Sequence, residues 1–230
     1  MSLKRWAPVL ITLLLSILVV VVGSMIFRER RYYLISILVI TLTLVMYFLQ
    51  FEKRKPRTRE VVLITVLCTV AVLGRVLFAP FPHVKPMVAI VILWGVAFGS
   101  QTGFTAGSIS AFASNFMFGQ GPWTPWQMMV LGMIGFVSGF LHNKNVPIWL
   151  LCIYGFFMTF FLYGGIMNIS TGLMYGDSLS YVLTTILTGL VFDLIHAVST
   201  MIFLAVLSKS MLRKLDRMQK KYGLLPEKVV

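Results

Sequence analysis

Eight apolar blocks punctuate this chain, at residues 7–27, 33–51, 61–79, 86–99, 101–118, 127–141, 147–167 and 181–207, separated by stretches that carry charge, Pro or Gly. At about 1.5 Å per helical residue, blocks near 20 residues match the roughly 30 Å hydrocarbon core of a bilayer. In lipid every backbone polar group needs an internal partner, so repeated blocks of this length predict spanning helices. The pattern therefore predicts an all-α polytopic membrane protein. The third to fifth blocks are interrupted by Gly and Pro, and the block at 86–99 is short. Short or broken helices are common where a membrane protein lines a solute site.

The blocks fall into two sets. The first two are rich in Leu, Ile and Val and nearly free of Gly; the last six are rich in Gly, Phe, Met and Trp. This division predicts an accessory helix pair with a basic connector at 1–56, a six-helix working core at 57–207 and a basic tail at 208–230. The tail places Met211, Leu212, Leu215, Met218 and Tyr222 among Lys and Arg. That spacing predicts an amphipathic continuation of the last helix along the inner membrane surface.

Composition narrows the class further. Of 230 residues, 58% are hydrophobic and 12% charged, against about 25% charged in an ordinary soluble domain. Mean hydropathy is +0.90. Soluble-enzyme, disordered and fibrous classes are excluded. The net charge of +13 comes from Lys and Arg lying between and after the apolar blocks. Fifteen of the 20 Lys and Arg fall on the side of the N-terminus and four on the other. That bias predicts both termini in the cytoplasm. The basic charge reads as a topology signal and an attraction to anionic membrane lipid, with no nucleic-acid partner. Cys68 and Cys152 lie inside apolar blocks with no CxxC, which suits packing residues. The first block is longer than the hydrophobic region of a signal peptide and reads as a span.

Enzyme chemistry finds no support. The chain has neither a GxxxxGK[ST] nor an HExxH motif, so P-loop ATP binding and zinc-protease chemistry are not expected. His83, His142 and His196 fall at three different depths and cannot share a metal. No intrinsic cofactor is expected. Three ionisable residues lie at membrane depth: Arg75, Asp193 and His196. A charge there is costly unless it faces a partner or a solute. Asp193 and His196 are at i, i+3 and share one helix face, as either an interhelical clamp or a proton relay. The relay underlies an alternative reading, a self-sufficient proton-coupled secondary transporter. Arg75 reads as a ligand contact or as a side chain reaching outward to the interface.

The outer loops carry the strongest signal. Residues 79–86 hold three prolines and present His83 and Lys85. The stretch from Asn115 to Gln127 is uncharged and contains Gln120, Trp123 and Trp126. Pro and Gly constrain its backbone, Trp offers flat apolar surface, and Asn and Gln offer hydrogen bonds. These are the components of a pocket for a sizeable ligand with apolar and amide-bearing parts. Residues 168–180, with Tyr175 and Asp177, read as a mobile loop able to serve as a lid. On the first core helix Thr65, Cys68, Thr69, Ala71 and Gly74 form a small-residue face suited to close helix approach.

These features together resemble the S-components, the substrate-binding membrane subunits of energy-coupling factor (ECF) transporters for vitamins. The resemblance covers residues 57–207. It rests on the Pro-rich first loop leading into KPMVAIVILWGVAFGSQTGF at 85–104, and on SNFMFGQGPWTPWQM at 114–128. The string at 119–127 is most similar to that of cobalamin-specific S-components. The resemblance implies a multi-pass protein of the bacterial cell membrane that has no ATPase of its own. It implies a vitamin, here cobalamin or cobinamide, bound at the outer face. It also implies partners: a transmembrane coupling subunit and two ATPase subunits. Carried over by motif, the ligand site comprises His83, Lys85, Asn115, Gln120, Trp123, Trp126, Gln127, Tyr175 and Asp177; Arg75 joins this set as the ionisable residue at membrane depth on the first core helix. The contact with the coupling subunit falls on Thr65, Thr69 and Ala71, where the family pattern has Ala at both positions of the four-residue repeat.

Overall fold

The computed structural model describes Leu38, Leu42 and residues 58–142, 144–176 and 179–222. Apart from Leu38 and Leu42, the expected accessory pair at 1–56 lies outside the described residues. Among the described residues there are six helices and no strand. They are α1 (Thr58–Leu77), α2 (Met87–Phe98), α3 (Ser100–Phe118), α4 (Thr124–Ser138), α5 (Ile148–Tyr175) and α6 (Leu179–Tyr222). A 3-10 turn, Gly139–Leu141, extends α4, and a π segment, Met158–Gly164, interrupts α5. By length and composition α1, α4, α5 and α6 can each cross a membrane.

Helix ends follow from Pro and Gly. Pro80 and Pro82 follow α1, Pro86 precedes α2 and Pro125 lies in the first turn of α4, where its missing N–H costs nothing. Gly99, at φ +86°, is the single residue between α2 and α3, and Gly119, at φ +97°, ends α3. Both occupy a region that glycine enters without strain.

The short α2 sits at the centre. Every residue from Met87 to Gly95 is buried. A helix clad in protein need not match the bilayer, which explains why 12 residues suffice. Around it, glycines bring backbones together. A Cβ on Gly103 would lie 2.3 Å from the Gly135 carbonyl oxygen, and one on Gly135 would lie 2.2 Å from the Gly103 oxygen. Gly95 meets the same Gly135 oxygen at 2.3 Å. In lipid, association draws on such close packing because apolar side chains gain little by leaving lipid for protein.

Two expectations are corrected. The segment 168–180 is not a long loop: α5 continues to Tyr175. Ser170 and Thr171 bond back to the Met167 carbonyl, and Gly172 lets α6 approach, so these polar residues are accommodated within a helix. The tail also differs from a helix lying on lipid. It is the direct continuation of α6, with Leu215 buried and Met211, Leu212 and Met218 packed on the core. Gln219 donates to the Ala97 carbonyl at the C-terminal end of α2. The stretch ending at Tyr222 therefore docks on protein, leaving Lys209, Arg213, Lys214 and Arg217 exposed.

Candidate functional site

At the end of the bundle bearing the 78–86 and 119–123 turns, polar side chains from five of the six helices converge. Arg75, in the last turn of α1, sends Nη1 across to α3. It donates to the Ser114 hydroxyl and, at 2.8 Å, to Asn115 Oδ1. Asn115 is fully buried. Its Nδ2 donates to Thr124 Oγ1 at 3.0 Å and to Gln127 Oε1 at 2.8 Å. Gln127 in turn meets the hydroxyl of Tyr163, from the π segment of α5. The Tyr163 ring stands edge-on to His196 of α6, 5.0 Å between centroids. A chain of contacts thus links α1, α3, α4, α5 and α6. His196 is buried, and its Nε2 has no hydrogen-bond partner among the described residues.

Asp193 and His196 share a face but take their partners from α5, not from each other. Asn168 Nδ2 donates to Asp193 Oδ2 at 2.6 Å. The carboxylate lies so close over Gly164 that a Cβ there would come within 2.6 Å of it. These contacts join α5 to α6 at Asp193.

The mouth is basic and aromatic. Arg75 lies 4.5 Å and Lys85 5.7 Å from the centroid of the Phe118 ring, within cation–π range. His83 has a backbone φ of +59°, an uncommon conformation outside glycine. Its ring packs on Phe192 of α6, centroids 4.6 Å apart. Burial lowers the Lys85 pKa below the ordinary lysine value, and Arg75 adds to this. Burial and then Lys85 push His83 below the ordinary histidine range, with Asp193 opposing.

The structure brings Arg75, His83, Lys85, Asn115 and Gln127 to one place. Gln120 reaches the same network through Thr124, whose hydroxyl also accepts from Asn115. Its amide ties α3 to α4, donating to the Phe112 carbonyl at 3.1 Å and accepting from Thr124 at 2.9 Å. Trp123 lies over Gly121, where a Cβ would come within 2.4 Å of the ring. Trp126 is buried, and Tyr175 is exposed at 74%. Asp177 lies outside the described residues. On α1, Thr65 and Thr69 are exposed with hydroxyls bonded to carbonyls four residues back, whereas Ala71 is fully buried. An α1 docking face would therefore be built on Thr65 and Thr69 and would not include Ala71.

Sequence pattern does not single out Tyr163, Asn168, Phe118 or Phe192 as site residues. Tyr163 sits in a Phe-rich run that reads as lipid-facing. The signal available is Gly164–Gly165 within that run, since glycine inside a helical pattern often marks a close approach. Among the described residues no group of His, Cys, Asp and Glu could hold a metal.

Comparison with known proteins gives one family. Residues 55–213, well over half of the chain, match the family described as ECF-type riboflavin transporter, S component. No curated protein and no solved structure matches.

Proposed function

Because the chain belongs to the ECF-type riboflavin transporter S component family, we propose that it is the substrate-binding subunit of an ATP-driven vitamin importer with riboflavin as its ligand. It has no ATPase of its own and works with a coupling subunit and two ATPase subunits in the plasma membrane. Both termini face the cytoplasm, so the Arg75 cluster opens outward.

One observation carries this reading: the buried chain Arg75–Asn115–Gln127–Tyr163 beside the Phe118 ring. A flat heteroaromatic with carbonyl and imide edges needs directed hydrogen bonds and ring faces in a confined place. The contacts of Gln127 and Tyr163 and the unpartnered Nε2 of His196 are suited to supply the first. Phe118, His83 and Phe192 are suited to supply the second.

A second reading is a corrinoid such as cobalamin. It is favoured by the apolar surface of the 116–123 stretch, where Phe116, Met117, Phe118 and Trp123 are all exposed. It is weakened because Gln120 is engaged by Phe112 and Thr124, Trp123 lies over Gly121 and Trp126 is buried, leaving less of that stretch to meet a large ligand.

Binding of riboflavin and of cobalamin to the full chain in nanodiscs, by calorimetry, separates the two. Uptake into ATP-loaded proteoliposomes, with and without an ECF coupling module, tests the transport role. Saturable riboflavin binding and module-dependent uptake are expected. Cobalamin binding alone would select the second reading, and uptake without the module would overturn the proposed role.

A further inference from the structure

The exposed side of α6 is one continuous strip. Val191, Ile195, Val198, Ile202 and Val206 are exposed and recur every three or four residues, so they share a face. Continued at the same period, that face carries Lys209, Arg213 and Arg217. All three are exposed, and none pairs with an acid among the described residues. Asp216, the one acid in residues 208–222, is taken by Lys220 at 2.7 Å. The other side of this stretch is held on protein by buried Leu215 and Gln219, so the cations project from a fixed helix. At 1.5 Å per residue the apolar part runs for about 22 Å, and the cations follow at steps of about 6 Å.

The change from apolar to basic falls at headgroup depth. Gly155 packs on Leu204 and Tyr163 on His196, which fixes the antiparallel register of α5 against α6. Carried six residues further, that register sets Trp149 level with Ser210. Trp149 is exposed, and Trp at the end of a span marks the membrane–water interface. Apolar side chains at acyl depth therefore give way to ammonium and guanidinium groups where headgroups lie.

A row of cations alone is met by water and diffuse counter-ions. A row joined end-on to a lipid-facing strip matches a molecule that is itself apolar and then anionic. Guanidinium matches phosphate oxygens in a planar fork, and an ammonium adds a compact charge. We propose that α6 holds an anionic phospholipid of the leaflet on the tail's side, its phosphate between Lys209 and Arg213 and its acyl chains along Val198, Ile202 and Val206. A zwitterionic phospholipid offers the same phosphate but brings its own ammonium group to the row, so the site selects by headgroup charge.

The test titrates the full chain in detergent micelles with phosphatidylglycerol and with phosphatidylcholine of the same acyl chains, native mass spectrometry counting the lipid retained. The ratio of the two affinities is the readout. Wild type should prefer phosphatidylglycerol about tenfold or more at about 50 mM salt, with the preference falling at about 500 mM. Lys209→Gln combined with Arg213→Gln should bring the ratio close to one. Lys209→Ser combined with Ser210→Lys keeps the net charge but moves one cation about 100° round the helix; it should lower the ratio about fivefold. These side chains are exposed, so the melting temperature of each variant should stay with that of wild type. A ratio near one in wild type overturns the proposal. So does a ratio that the relocated lysine leaves unchanged, which would reduce the preference to net charge. If the Gln pair keeps the lipid preference but loses the coupling module, the row belongs to an acidic protein surface and the proposal is likewise overturned.

Discussion

Arg75 donates to the side-chain oxygen of Asn115 at 2.8 Å, and this contact sets the direction of the amides behind it. With Oδ1 turned to the guanidinium, Nδ2 must face Thr124 and Gln127. Gln127 accepts through Oε1, which leaves its own N–H groups for the Tyr163 side. A cation on α1 thereby determines which face of an amide on α4 is a donor.

Asn115→Asp tests that polarity. The carboxylate still accepts from Arg75 but cannot donate to Thr124 or Gln127. A buried partner left unsatisfied costs about 1–3 kcal/mol. The variant should melt at lower temperature in detergent and bind riboflavin at least about tenfold more weakly. Unchanged affinity would show that the amide chain does not serve the ligand.

Gly135→Ala should be among the most damaging small substitutions. Its Cβ would meet the Gly103 backbone, which cannot rotate away. Overpacking of this kind costs about 1–3 kcal/mol and sometimes more. Gly165, where an added methyl would have nothing within 4 Å, is the control. Size-exclusion profiles of Gly135→Ala and Gly165→Ala should differ, the first aggregated or absent and the second like wild type.

Asp193→Asn separates a clamp from a proton relay. The amide oxygen of the new side chain can still accept from Asn168, so the α5–α6 contact survives while the charge is lost. ATP-driven uptake with the coupling module should stay within about twofold of wild type, since the interaction removed is replaced in kind. Uptake abolished in a variant that still folds and binds ligand would favour proton coupling instead.

His83 sets an acid-side dependence. Its folded pKa lies below the ordinary 6.5, chiefly through burial. The unfolded chain therefore takes up this proton first as pH falls. The stability associated with neutral His83 is complete above the ordinary value and is lost as pH drops through the folded one. His83→Gln should flatten the fall in melting temperature between about pH 7.5 and pH 5. A fall as steep as that of wild type would assign it to other groups.

The six core helices were legible because each is an apolar block bounded by Pro, Gly or charge. Their ends were less so. Tyr175 closes α5 well past residue 167 because Ser and Thr hydroxyls can be satisfied by their own helix, so a polar stretch need not be a loop. The site was half legible. Arg75 and Asn115 stand out as polar groups at membrane depth, and His83 and Lys85 as the polar tips of a stiff loop. Composition names Trp123 and Gln120 but not where they turn, one over Gly121 and the other toward Phe112 and Thr124. Tyr163 and Asn168 were hidden because their roles depend on which face of α5 the π segment presents, and a local change in helical period is not visible in apolar spacing.

The buried α2 has a mechanical consequence. A helix with no lipid contact over residues 87–95 is insulated from hydrophobic mismatch. Stress from a thinner or thicker bilayer enters through the exposed apolar sides of α1, α3, α5 and α6, of which α5 and α6 expose the longest faces. Asn115 and Gln127 ride on α3 and α4, which are locked to α2 through Gly95, Gly103 and Gly135. Tyr163, Asn168 and Asp193 ride on the outer pair. Bilayer thickness is therefore expected to load the outer pair more than the wall fixed to α2.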